Sequence, residues 1–501
     1  MTQWNDPCPP KDSPSEGSSC PLAHLGNVVI LLACGESIQS VTNFDLFNRV
    51  VDEEGRAVTF YTDPDRLERH LNELSPEDAP LARTFCADIR RLAKNPMYPF
   101  LKPWPLMSMR ERFKMILGVL PDARLYARNA GLQMNAFCGK FKSPLLRRSF
   151  PNIFFQDPEV FPLLPYMYNL ACAHNKNAGI PQGGSLGLAK SVEKRYRDLG
   201  GEISYRAKVT RVLVDGDRAV GIELADGSRH YADAVVSACD GATTIYKLLE
   251  GKYVDQKIDK LYKEVMLQPQ QIYPGGMSVF LGIDGQFGEG EAHSTTYLLN
   301  PKDADALPAA VQRSLVVQHR SRYSNGFASA GKSVLHCTFF ADFDYWKKLR
   351  KENREQYRAE KRKVVHFIQD FRERRYPGLR EKTEVVQVAS PATTERYTGN
   401  YNGSILACRS FSQAEDLANS FTNEYGMKLP GLKNFYMAGQ WVSGGGLIRA
   451  ASSGRFAVQF LCRDQKRPFQ AWLAAESPSW GTEGLQHLPI LDEDPAQEAQ
   501  S

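Results

Sequence analysis

The 501-residue chain has no CxxC pair, no apolar run long enough to span a bilayer and no marked excess of charge of either sign. Each absence removes a class of function. Its cysteines are scattered at Cys8, Cys20, Cys34, Cys86, Cys138, Cys172, Cys239, Cys337, Cys408 and Cys462, so neither a zinc ribbon nor a dithiol redox motif is expected. The chain is also long for a fold stapled by disulfides, and a reducing compartment, the cytoplasm, fits best. Near the start the longest purely apolar run, Val28 to Cys34, has no basic region before it, so neither a membrane span nor a secretory signal is expected. A peripheral membrane association through apolar loops stays open. The net charge of +5, from 62 basic and 57 acidic residues, lacks the localised excess of a nucleic-acid binder. No group of histidines and carboxylates has metal-ligand spacing.

What is present is an ordinary globular composition, 42% apolar and 24% charged, long enough for two or three packed units. Residues 1–20, rich in Pro, Ser, Asp and Gly, read as a disordered leader. Phe47–Val51 and Ala57–Tyr61, either side of a turn at Asp52–Gly55, predict a hairpin. Asp63 then caps a helix beginning near Arg66. Residues 66–180 read as helices broken by prolines, either ordinary core or the lining of an apolar cavity. Pro181-Gln-Gly-Gly-Ser185 precedes a helix over about 186–199. Strands are predicted at Glu202–Tyr205, Val209–Val214, Ala219–Leu224 and His230–Ser237, with turns at Asp215-Gly216 and Asp226-Gly227. A helix leading into strands in this way is an α/β arrangement. Between Trp346 and Arg375, Tyr357, Val364, Ile368 and Phe371 recur at helical spacing, so one face of a charged helix is buried.

The sharpest motif is Asn434-Phe-Tyr-Met-Ala-Gly-Gln-Trp-Val-Ser-Gly-Gly-Gly-Leu447, an apolar strand running into a triple glycine and then a helix. Glycines here let a backbone approach a bound group that any Cβ would displace. Free N–H groups at the helix start favour negative charge, such as the edge of a reduced flavin. Ala450, Ala451, Ser453 and Gly454 permit close packing of that helix on a sheet. A plain strand–turn–helix corner would use the same residue types.

This segment resembles the C-terminal flavin motif of the phytoene desaturase, carotenoid isomerase and retinol saturase family of FAD-dependent oxidoreductases. Pro181–Ser185 with Val209, Ala225-Asp-Gly227 through Ala238, and Pro391–Asn400 with Gly403 resemble other segments of the family, in its order, from about Asp45 to Arg463. The resemblance implies an α/β fold: an FAD/NAD(P)-binding, Rossmann-like domain, incomplete at its N-terminus, interleaved with an α+β substrate domain. The implied division is a leader at 1–41, substrate-domain parts at 42–180 and 253–425, FAD-domain parts at 181–252 and 426–465, and a flexible tail at 466–501. It implies FAD as cofactor and an apolar polyene or isoprenoid substrate undergoing desaturation, saturation or isomerisation. Val209 and Ala238 would flank the adenosine part. Gly439 and Gln440 would lead to the ring edge at Gly444, Gly445, Gly446 and Leu447, and Gly183 and Gly184 could cover the ring, or simply form a helix entry. Arg396, Tyr397 and Asn400 could contact substrate, or simply form a turn. No catalytic residue is nominated, since a solitary histidine such as His174 or His293 has many structural uses.

The family pattern fails in one place. Its members open with a strand, a GxGxxG loop and a helix that seat the dinucleotide diphosphate. Here Leu32 and Cys34 stand where glycines belong, and too few residues separate Val28 from the hairpin near Phe47 for a βαβ unit. Three readings stay open: a truncated or mis-spliced relative, a flavin-free binder of apolar ligands, or a protein that holds FAD through its remaining elements.

Overall fold

The computed structural model describes residues 41–94, 102–129, 131–154, 162–269, 271–286, 291–323, 327–408, 427–443 and 446–469. Residues 1–40 of the expected leader, with the run Val28–Cys34, most of the expected tail, and Gly444 and Gly445 lie outside the described residues.

The first described residues, β1 (Val41–Thr42), lead into the expected hairpin of β2 (Leu46–Val51) and β3 (Ala57–Tyr61), which pair antiparallel. Asp52 closes the turn by accepting from the backbone N–H groups of Glu54 and Arg56. Asp63 caps α1 (Pro64–Leu74) by accepting from the N–H of Asp65, with Pro64 where no donor is needed. Helices α2 (Ala79–Lys94), α3 (Met109–Val119) and α4 (Leu163–His174) follow. A buried aromatic cluster holds this region to the hairpin: Phe150 meets both Phe60 and Phe85 edge-on, at 5.0 and 5.3 Å between ring centres. β4 (Ile180–Pro181) then returns to pair with β1.

A glycine turn opens α5 (Gly184–Asp198), as the Pro181–Ser185 pattern predicts. Beyond it β5 (Val209–Asp215), β6 (Arg218–Leu224) and β7 (Arg229–Tyr231) form an antiparallel sheet. The strand expected over His230–Ser237 is two strands. Tyr231 completes the antiparallel sheet, whereas β8 (Val235–Ser237) turns away to form a parallel pair with a strand near the C-terminus. The strand expected at Glu202–Tyr205 does not form. No neighbouring strand among the described residues offers its backbone groups partners, and the segment ends in a turn with Arg206 at φ 60°.

The largest element is a seven-stranded sheet in the order β13-β9-β12-β11-β10-β2-β3, built from β9 (Gly276–Asp284), β10 (Ser294–Leu298), β11 (Ser314–His319), β12 (Lys332–Phe340) and β13 (Thr383–Ala389) with the hairpin. Only the β10–β2 pair is parallel. One face packs on α6 (Phe343–Glu352) and α7 (Arg354–Glu373). Val364, Ile368 and Phe371 are buried there, as their spacing predicts, and each contributes about 1.5–3 kcal/mol. The other face is unusually polar. It carries Thr296, Val316, Thr338 and Ser278 along one register row, and Ser294, Gln318, His336 and Phe280 along the next.

The chain closes through α8 (Pro391–Thr398), β14 (Phe435–Met437), α9 (Gln440–Ser443) and α10 (Leu447–Asp464). The apolar strand therefore does not run straight into the triple glycine, because the short helix α9 intervenes. β14 is the parallel partner of β8, and among the described residues β8 has no strand on its other edge.

Candidate functional site

Two features of this architecture carry chemistry. The first is the junction where β8 and β14 end side by side. Parallel strands leave a crevice beyond their carboxyl ends, the common seat of ligands in such sheets. Ala238 and Gly439 are the residues just past the two ends. Gly439 has φ 93°, and a Cβ there would lie 3.2 Å from the carbonyl oxygen of Ala238, so a side chain would meet both strain and crowding. Helix α10 is tied to this point by Ser453. The buried hydroxyl of Ser453 accepts from the N–H of Gly439 at 2.7 Å and donates to the carbonyl of Ala450 at 2.5 Å.

At the start of α10, Gly446 stands at the cap position with φ 117°, open space on the side where a Cβ would be, and no capping side chain. The cap position itself therefore supplies no side-chain acceptor to the first N–H groups of the helix. Its first turn contains Arg449 and no acid, so the local field favours negative charge.

Asp240, two residues beyond Ala238, braces the junction. Its buried carboxylate accepts from the backbone N–H groups of Thr243 and Tyr401, each at 2.7 Å. Burial raises its pKa despite those bonds. Asp240→Ala is expected to remove about 3 kcal/mol of stability, two bonds to a charged acceptor, read as a lower urea midpoint at unchanged slope.

The sequence-derived candidates are brought together only in part. Ala238 and Gly439 meet; Gln440 begins α9, half-buried, and Gly446 and Leu447 begin α10, with Leu447 exposed. Val209 belongs to a different sheet, opposite Leu224 at the start of β5, half-buried against the core that includes Phe435 and Met437. Gly444 and Gly445 lie outside the described residues. Of the small residues on α10, Ser453 makes the close contact, whereas Ala451 is exposed and Gly454 faces open space. Tyr397 points to solvent beneath the Arg396 guanidinium, and Asn400 donates to the carbonyl of Ser404.

The second feature is a cavity of about 260 Å³ on the polar face of the large sheet, lined by Phe44, Asn48, Phe154, Ile180, His293 and Tyr323 among others. Ile180 leads directly into Pro181-Gln-Gly-Gly, and the ring of Phe327 fills the space beside Gly184 while standing edge-on to Tyr323, 6.1 Å between ring centres. The cavity is thus continuous in packing with the glycine turn of α5.

His293 has its tautomer fixed by geometry. Its Nε2 lies 2.9 Å from the carbonyl of Leu46, which can only accept, so the proton is on Nε2 and Nδ1 carries the lone pair. That Nδ1 is buried without a partner, as is Oδ1 of Asn48, whose amide donates to the Ile153 carbonyl and the Thr296 hydroxyl. The ring stacks on Phe44 at 3.8 Å, and burial pushes its pKa down to about 4, so it is neutral at pH 7. His174, the other solitary histidine, ends α4 and lies outside this wall. Deeper in the sheet, His336 accepts at Nδ1 from Arg320, donates from Nε2 to Ser278 and stacks on Phe280 at 4.3 Å. Neither Asp240 nor Asn48 was singled out in the sequence. An acid directly after an apolar strand and a polar residue at an inward strand position were the available signals.

Comparison with known proteins places these features in a family. Residues 154–461, more than half of the chain, match the model of the flavin containing amine oxidoreductases. The chain is 24% identical over 243 residues to a chloroplastic prolycopene isomerase of Arabidopsis thaliana, covering 48% of this chain and 39% of that protein. It is 26% identical over 300 residues to an all-trans-retinol 13,14-reductase of Danio rerio, covering 55% and 48%. It is 27% identical over 215 residues to a lycopene-forming phytoene desaturase of Pseudescherichia vulneris, covering 42% of each. The chain thus spans less than half the length of these relatives. The fold is shared with a putrescine oxidase solved with putrescine bound, at 10% identity, 88% and 86% coverage and a TM-score of 0.50. The α/β architecture and the sequence match agree: the chain belongs to the flavin containing amine oxidoreductase family.

Proposed function

We propose that the protein holds FAD at the β8–β14 junction and acts as an oxidoreductase or isomerase on an apolar polyene or isoprenoid substrate lodged in the cavity against the large sheet. The observation that carries this reading is the junction itself: two parallel strand ends, a glycine at positive φ where a Cβ would crowd the Ala238 carbonyl, and a helix that begins at a glycine with no acid in its first turn, which favours negative charge. Flavin chemistry fits this donor set, because the first N–H groups of α10 suit a ring edge that gains negative charge on reduction. Gly446 and Leu447 would lie at that edge with Gly444 and Gly445. Gly439 and Gln440 would line the approach, and Ala238 and Val209 would flank the adenosine part.

When bound, FAD supplies hydride transfer or electron redistribution that side chains cannot. The chain's own residues position and desolvate. Phe44, Phe154 and Ile180 exclude water from the cavity, and Phe327 and Tyr323 pack the passage toward the α5 turn. His293, its proton engaged by Leu46 and its Nδ1 bare, offers an acceptor and no acid. The relatives named for prolycopene, retinol and phytoene support an apolar substrate class.

The test is reconstitution. Protein incubated with FAD and passed through a desalting column should retain oxidised-flavin absorption, and chemical reduction followed by a soluble polyene should return it. Flavin that elutes entirely with the small molecules would defeat the proposal.

A further inference from the structure

Helix α3 turns an apolar stripe to solvent. Met109, Phe113, Ile116 and Leu117, with Leu120 one residue beyond the helix end, are between 47% and 76% exposed. On a helical projection they fall within one arc of about 100°, while Met115, the helix's buried residue, lies on the opposite side. Exposed Arg110 and Lys114 border the stripe along one edge. The other charges are spent locally. Arg112 turns inward over the Trp104 ring and donates to the Trp104 carbonyl. Glu111 closes the capping box with Ser108 and pairs with Lys102, so it does not offset Arg110 and Lys114.

Five large apolar side chains in one exposed band mark a surface that meets something apolar. Basic residues along its border select an anionic partner. At 11 residues the helix is far too short to cross a bilayer, and no described helix is long and apolar enough to do so. We propose that α3 docks in the interface of a bilayer bearing anionic lipids, the stripe entering the acyl boundary and Arg110 and Lys114 facing the headgroups. The apolar-substrate reading gives this docking its purpose, since polyenes and isoprenoids reside in membranes. Its test needs neither flavin nor substrate, so the two fail separately.

The experiment is flotation of the full chain with phosphatidylcholine vesicles, with and without phosphatidylserine. Wild-type protein is expected to float with the phosphatidylserine vesicles and to be released by salt. Arg110→Gln and Lys114→Gln should each weaken binding about fivefold. Phe113→Ser with Ile116→Ser should weaken it roughly tenfold or more while leaving the melting temperature unchanged, since both side chains stand in solvent. Equal flotation of the double serine variant, or no preference for phosphatidylserine, would overturn the proposal. So would absence of flotation together with a wild-type dimer that the double variant dissolves, which would assign the stripe to a second copy of the chain.

Discussion

Gly439→Val is expected to abolish flavin retention and to cost about 3 kcal/mol of stability, the upper end for a strained backbone position. The residue sits at φ 93°, where a β-branched side chain is an outlier, and its Cβ would press on the Ala238 carbonyl at 3.2 Å. Relief requires β14 to draw away from β8, which would open the crevice and break the Gly439 N–H bond to Ser453. Gly439→Ala should show a smaller version of the same loss. Flavin absorption after desalting and a urea titration, run on the same samples, separate the local from the global effect. Ser453→Ala, which frees α10 from Gly439 without adding volume, should lower flavin retention with a stability loss of about 1 kcal/mol.

Acid should destabilise the protein through its buried histidines. Burial, followed by the charge of Arg320, lowers the pKa of His336 to about 3 from a usual value of 6.5. In the unfolded chain this histidine takes up a proton near its usual pKa, while the folded protein resists protonation until far lower pH. Between those values the unfolded state binds more protons, so folding stability falls as pH drops through the window. A shift of this size corresponds to about 5 kcal/mol, present in full above the unfolded pKa and lost progressively toward the folded one. His293, with its pKa lowered to about 4, acts in the same direction over a narrower window. Urea midpoints at pH 7.5 and at about pH 4.5 measure the effect. His336→Gln should flatten the dependence and lower the midpoint at pH 7.5. A pH dependence identical to wild type would show that His336 is not held neutral.

Local order was legible in the sequence where a short stretch carried its own instructions. The β2–β3 hairpin, the Asp63 cap and the buried stripe of α7 follow from turn residues, a side-chain acceptor and helical spacing, each satisfied within a few residues. What depended on distant partners was not. Glu202–Tyr205 has strand-forming residues but no neighbouring strand among those described. His230–Ser237 divides because its two halves pair with β6 and β14, segments on either side of it in the chain. The glycine-rich end of the site was visible as a motif, yet the contact of Ala238 with Gly439 spans about two hundred residues of sequence and emerges only when two strands align. The cavity was least visible of all. Asn48, His293 and Tyr323 come from separate segments of the chain, and nothing in any one of them announces the others.

Hydrogen exchange with and without FAD tests the central claim most directly. If the junction cradles the flavin, adding FAD should slow exchange at the amides following Gly446 in the first turn of α10 and at Ala238–Asp240, leaving α3 and α7 unchanged. Protection confined to other elements, or none at saturating FAD, would contradict it.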